Sequence, residues 1–92
     1  MKTPKFALGS LVATPGALEA LGRAGQSPAD FLARHAAGDW GDVDATDGNL
    51  NDAAVRDGER ILSAYRTKAG ERIWIITEAD RSSTCILLPE EY

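Results

Sequence analysis

The only histidine of this chain lies in the run Arg34-His35-Ala36-Ala37-Gly38-Asp39-Trp40-Gly41-Asp42, which sets an imidazole, two carboxylates and an indole beside two helix-breaking glycines. Imidazole titrates near neutral pH and a carboxylate can fix its tautomer, so His35 oriented by Asp39 has the ingredients of a general base. No nucleophile stands nearby in sequence. The spacing favours another role: His35 follows Phe31 by four residues, on the inward edge of a helix, where an imidazole bonded to a loop carbonyl pins helix to loop. Trp40 also reads two ways. Tryptophan is over-represented among binding hot spots, which makes Asp39-Trp40-Gly41 a candidate contact. An indole also buries most of its area, and Asp39 would then cap the turn through backbone N–H groups.

Asp42, Asp44, Asp47 and Asn49 resemble a calcium loop until the spacing is checked. An EF-hand begun at Asp42 needs an oxygen ligand at Thr46, a glycine at Asp47 and a bidentate glutamate at Ala53, and the pattern fails. One histidine and one cysteine cannot assemble a zinc site of the usual ligands within one chain. No metal or cofactor is expected. Glu78, Asp80 and Arg81 fall where a strand leaves the sheet and could converge with the Asp39 loop. Two such carboxylates can divide acid and base roles, or support hydrolysis with a metal, but no spacing rule singles them out. The favoured reading pairs Arg81 with one of them and rigidifies the turn. Cys85, in an apolar strand without a basic neighbour, reads as an inert buried thiol. Ser82-Ser83-Thr84 is ordinary turn chemistry, with no Gly-x-Ser-x-Gly around it.

The net charge of −4 is unevenly distributed. Between residues 39 and 59, seven acids (Asp39, Asp42, Asp44, Asp47, Asp52, Asp57 and Glu59) face one base, Arg56, a local balance of −6. The flanking segments sum to +2 and 0. Without a basic stripe along the chain, duplex nucleic acid is disfavoured as a direct ligand. An acidic patch favours a protein with a basic surface, a cation, or plain solubility.

At 92 residues the chain has room for one domain and one core. Its 43% apolar and 26% charged residues are those of a globular protein. The longest apolar runs, at residues 73–76 and 85–88, are four residues long, far short of the ~20 that span a bilayer. Lys2 and Lys5 are followed by no apolar stretch, and Gly9, Ser10 and Pro15 interrupt the segment, so a cytoplasmic chain without a secretory signal is expected. A lone cysteine agrees with a reducing compartment.

Residues 6–14 read as a strand, with Gly9 marking a bulge or a close neighbouring backbone. Thr14-Pro15 starts a first helix with Ala17, Leu18, Ala20 and Leu21 inward, ended by Gly22 and Gly25. Ser27-Pro28 starts a second that carries Phe31, Leu32 and His35, pairs Asp30 with Arg34, and ends at Gly38. Residues 39–49 read as a loop. Asn49 or Asn51 caps a third helix through Asp57, with Leu50, Ala53 and Ala54 inward and Gly58 as its stop. Strands over residues 60–67 and 72–78 flank a four-residue hairpin connection, and a last strand covers residues 84–88. The middle strand is apolar on both faces and therefore central. The expected fold is α+β: an N-terminal strand, two or three short helices, then a three-stranded antiparallel meander packed on the helices.

Three stretches, residues 6–18, Arg34-His35-Ala36-Ala37-Gly38-Asp39-Trp40-Gly41, and residues 76–84, resemble a small bacterial family encoded on plasmids and integrated mobile elements, whose members often carry only the label plasmid-related protein. The likeness covers nearly the whole length. It implies a bacterial host and an accessory role on mobile DNA, and brings no catalytic residue with it. The binding candidates are accordingly His35, Asp39, Trp40, Asp42, Asp44, Glu78, Asp80 and Arg81, with the acidic loop and the Trp40 turn as contact surface for a basic host DNA-binding or defence protein. The competing reading is a small hydrolase or transferase using His35 with Asp39 and Glu78 or Asp80. A homodimer through a sheet edge is the third.

Overall fold

A proline after an oxygen-bearing cap starts each of the first two helices. In the computed structural model, which describes residues 3–92, α1 (Pro15–Ala24) begins with Thr14 Oγ1 accepting from the Ala17 N–H at 3.1 Å, and α2 (Pro28–Ala36) with Asp30 reaching back to the Ser27 N–H. Lys2 of the leader reading lies outside the described residues. The third helix corrects the expected cap. Neither Asn49 nor Asn51 starts it: α3 (Ala45–Asp57) is capped by Asp44, whose carboxylate accepts from the Asp47 N–H at 2.8 Å. An aspartate cap with a second aspartate in the first turn suits the positive end of the helix dipole. The last five residues of the expected 39–49 loop are therefore helix.

Four strands make one mixed sheet in the order β1-β4-β3-β2, with β1 (Ser10–Ala13), β2 (Ile61–Arg66), β3 (Arg72–Thr77) and β4 (Ser83–Leu87). The β2–β3 and β3–β4 pairs are antiparallel, whereas β1 adds to β4 in parallel, so the sheet is larger and less uniform than a three-stranded meander. Alternation along the strands divides the sheet into two faces. Tyr65, Ile73, Ile75 and Ile86 meet Ala17, Ala20, Leu21 and Phe31 of α1 and α2 on one face. Leu62, Ala64, Arg66, Arg72, Trp74 and Ile76 lie on the other.

The first strand is shorter than residues 6–14. Gly9, at φ +67, turns the chain where a Cβ would strike the backbone carbonyls of Arg81 and Ser82. Upstream of that turn Phe6 leaves the sheet and packs on a second cluster with Trp40, Ala54 and Ile61. Two residues expected inward are exposed instead: Leu18 on α1 and Leu50 on α3. Asn51 takes the buried position on α3.

Candidate functional site

Helix α2 delivers His35 to a site with no water contact, where its relative exposure is 0%. Phe6 meets the imidazole edge-on at 5.2 Å and Trp40 at 5.9 Å. Neither ring nitrogen goes to a loop carbonyl or to Asp39. Nδ1 pairs with Ser63 Oγ at 2.5 Å and Nε2 with Thr77 Oγ1 at 2.8 Å, tying α2 to β2 and β3. The tautomer follows from the far end of the chain of bonds. The Thr84 hydroxyl donates to the Leu8 carbonyl, so it accepts from Thr77, and Thr77 in turn accepts from Nε2–H. Nδ1 is then the acceptor for Ser63. Burial drives the imidazole pKa down to about 4, so the ring is neutral at physiological pH.

Trp40 is 7% exposed and is not a presented indole. It stacks on Phe6 at 6.1 Å, and its indole N–H donates to Asp52 at 3.0 Å, fastening α3 to the core. Asp39 forms a 2.7 Å ion pair with Arg34 and accepts from the Gly41 N–H. Arg34 therefore serves Asp39 rather than the expected Asp30. Its guanidinium also lies 4.6 Å over the Tyr65 ring, and the Tyr65 hydroxyl donates to the Asp39 carbonyl at 2.6 Å. Burial pushes that phenol up to about 12.

The strand that this turn approaches is an edge of the sheet, and its outward backbone groups are satisfied in two ways. The Ala64 N–H donates to the Trp40 carbonyl and the Ala64 carbonyl accepts from the Asp42 N–H, one parallel rung centred on Gly41. One step along, Asn51 copies a strand with its amide: Nδ2 donates to the Leu62 carbonyl at 2.7 Å and Oδ1 accepts from the Leu62 N–H at 3.2 Å. Sequence reasoning placed Asn51 at a cap; a polar residue at an inward helical position was the available signal. These contacts block strand addition along most of β2. Asn51→Ala should lower stability by about 1 to 3 kcal/mol, because Leu62 loses both partners in a part-buried setting. Chemical denaturation would measure it, and a loss below about 0.5 kcal/mol would show that water replaces the amide.

The second predicted cluster resolves differently from its expected pairing. Arg81 binds neither Glu78 nor Asp80 through a carboxylate. Its guanidinium donates to the carbonyls of Ala54 at 2.8 Å and Glu59 at 2.6 Å, clamping the end of α3. It also approaches the Glu78 and Ala79 carbonyls, because Arg81 itself sits at φ +61 in the tight turn before β4. Glu78 pairs with Arg60 at 3.6 Å, and Asp80 accepts from the Ser82 N–H, which holds its carboxyl below the usual range together with the Ser82 side chain. Asp39 and this cluster thus engage different partners. Cys85 is half-buried, and burial raises its thiol pKa, so it stays protonated.

The acids of the 42–59 segment remain at the surface: Asp42, Asp44, Asp47, Asp52, Asp57 and Glu59 are all exposed. Amid them Leu50 is 62% exposed beside a shallow groove of about 310 Å³ lined by Val43, Asp47, Asn51, Arg60 and Leu62. Among the described residues no group of three or more His, Cys, Asp or Glu side chains is placed to hold a metal ion, and no helix is long and apolar enough to cross a membrane. No protein family, curated protein or solved structure matches the chain in sequence or structural comparison. What the fold of the described residues defines is a class: a small α+β domain of three α-helices and a four-stranded mixed sheet.

Proposed function

We propose that this is a non-catalytic accessory protein of bacterial mobile DNA that binds a basic protein through the outer face of α3 and the turn before it. The observation that carries the reading is the exposure of six acids within residues 42–59, a segment in which Leu50 is also exposed and Arg56 is the one base. An apolar centre within a charged rim is the anatomy of a protein contact. A basic nucleic-acid groove, in a host DNA-binding or defence protein, is the surface such a rim complements. The resemblance to a plasmid-borne family supports the accessory role. The contact surface differs from the sequence expectation in one respect: Leu50 replaces the buried Trp40 as the apolar anchor. The competing hydrolase reading draws no support from His35, which is sealed from solvent between Ser63 and Thr77.

Affinity capture of the tagged chain from a bacterial lysate, with mass spectrometry, identifies the partner, and variants then test the surface. Asp47→Lys with Asp57→Lys should slow association about tenfold and flatten its salt dependence, since rim charges act through steering. Leu50→Ser should instead speed dissociation. Asp44 is left intact because it caps the helix. Unchanged kinetics in both variants, or a recovered partner with an acidic surface, would overturn the proposal.

A further inference from the structure

The face of the β2–β3 hairpin turned away from α1 and α2 holds two cations that the fold brings together. Arg66 and Arg72 are cross-strand partners. The adjacent Thr67 N–H donates to the Glu71 carbonyl, so the Arg66–Arg72 rung is of the non-hydrogen-bonded kind, in which side chains start closest, roughly 4.5 to 5.5 Å apart. Like charges directly opposite each other destabilise a sheet, and arginine does not relieve the repulsion by losing its proton. Glu71, the acid of the hairpin turn, is held elsewhere by two 2.7 Å bonds to Arg23. No carboxylate among the described residues forms an ion pair with either Arg66 or Arg72.

These arginines border a groove of about 580 Å³ whose other lining residues are Asp42, Ala64, Tyr65 and Trp74. One rung inward Ala64 faces Trp74, and the short methyl leaves room beside the indole. Tyr92 meets that indole at 5.6 Å and 64°, which sets its orientation. We propose that this groove binds a nucleoside phosphate. Two guanidiniums present paired donors in the geometry that an oxyanion accepts. The indole supplies a π surface on which a base can stack. Asp42 on the rim opposes a bare anion but accepts from sugar hydroxyls or an exocyclic amine, so the ligand carries a nucleoside as well as a phosphate. Two cations suit one or two phosphates and not a duplex, whose binding proteins neutralise about 6 to 10. Asp42 borders both this groove and the acidic segment, but the proposal does not rest on the acidic face of α3.

Calorimetric titration of the full chain with AMP, GMP, CMP, UMP, adenosine, inorganic phosphate and a ten-residue oligothymidylate tests the proposal. At least one nucleotide should bind saturably, with adenosine and inorganic phosphate each weaker by about tenfold or more. Arg66→Gln and Arg72→Gln should each weaken binding by about tenfold, and Trp74→Leu by a similar factor. The two arginine variants should melt no lower than the parent, because each removes one of two repelling charges; loss of binding is then not loss of fold. Oligothymidylate binding tighter than UMP assigns the site to an exposed strand end, and the reverse order assigns it to free nucleotide. Absence of saturable binding by every nucleotide and the oligomer up to about 5 mM, a ceiling weaker than most biological ligands need, overturns the proposal. So does unchanged affinity in both arginine variants.

Discussion

Gly41→Ala should cost at least about 4 kcal/mol, a large share of the roughly 5 to 14 kcal/mol that holds a domain of this size folded. Gly41 occupies φ +73, where an alanine is strained, and its added Cβ would collide with the Ala64 carbonyl oxygen and press on the Tyr65 ring. Relief requires the turn to lift from β2. Doing so breaks the bonds from the Ala64 N–H to Trp40 and from the Asp42 N–H to Ala64, and loosens the Trp40 packing that anchors α3. The variant should also expose the β2 edge and aggregate on concentration. Circular dichroism during urea titration measures the first effect and light scattering the second. A variant within about 1 kcal/mol of the parent would show that the turn does not hold the edge.

His35 should impose the second large effect, visible both on substitution and on acidification. His35→Ala leaves a cavity and removes the acceptor of the buried Ser63 hydroxyl and the donor to Thr77, which keeps only its bond to Thr84, a combination that costs about 3 to 5 kcal/mol. The pH effect has a definite sign. Folding lowers the imidazole pKa from 6.5 to about 4, so between those values the unfolded chain binds the extra proton and stability falls as pH falls. Stability should be full above about pH 6.5 and drop by about 3 kcal/mol on approaching pH 4, from the 1.36 kcal/mol that each pKa unit represents. Because the chain has a single histidine, His35→Gln should flatten the upper part of that window. If the parent held its stability from pH 6.5 to 4.5, the ring would have a route to solvent or to a counter-charge.

The starts of α1 and α2, the positions of β2, β3 and β4 and the central place of β3 were legible in the sequence because they are local signals. Thr14-Pro15 and Ser27-Pro28 declare helix entry through one residue's cap and the next residue's fixed φ. Ile73 and Ile75 alternating with Trp74 and Ile76 declare an interior strand, of which α1 and α2 cover the Ile73 and Ile75 face. The inward position of His35 was legible from its spacing to Phe31, and the acidic surface from composition, since exposed carboxylates are the cheapest state for so many like charges. What the sequence could not rank was Asp44 against Asn49 and Asn51 as helix cap, since all three are good caps. That choice rotates α3, turns Leu50 outward and sends Asn51 to the β2 edge.

Partners separated by many residues depended on the tertiary structure alone. Pairing of β1 with β4, the bonds of His35 to Ser63 and Thr77 and of Thr84 to Leu8, and the clamp of Arg81 on Ala54 join residues 27 to 76 positions apart, where one-dimensional spacing carries no geometric information. Arg66 and Arg72 show the same limit most plainly. Charge summed over residues 60–92 is zero, yet antiparallel register sets one opposite the other and gives Glu71 to Arg23. Sequence by itself determined the first two helices, the three C-terminal strands and the sign of the surface, because propensity, capping and burial act within a few residues. The tertiary structure decided which polar groups meet, because a hydrogen bond or ion pair is fixed by distances that only the packed sheet and helices set.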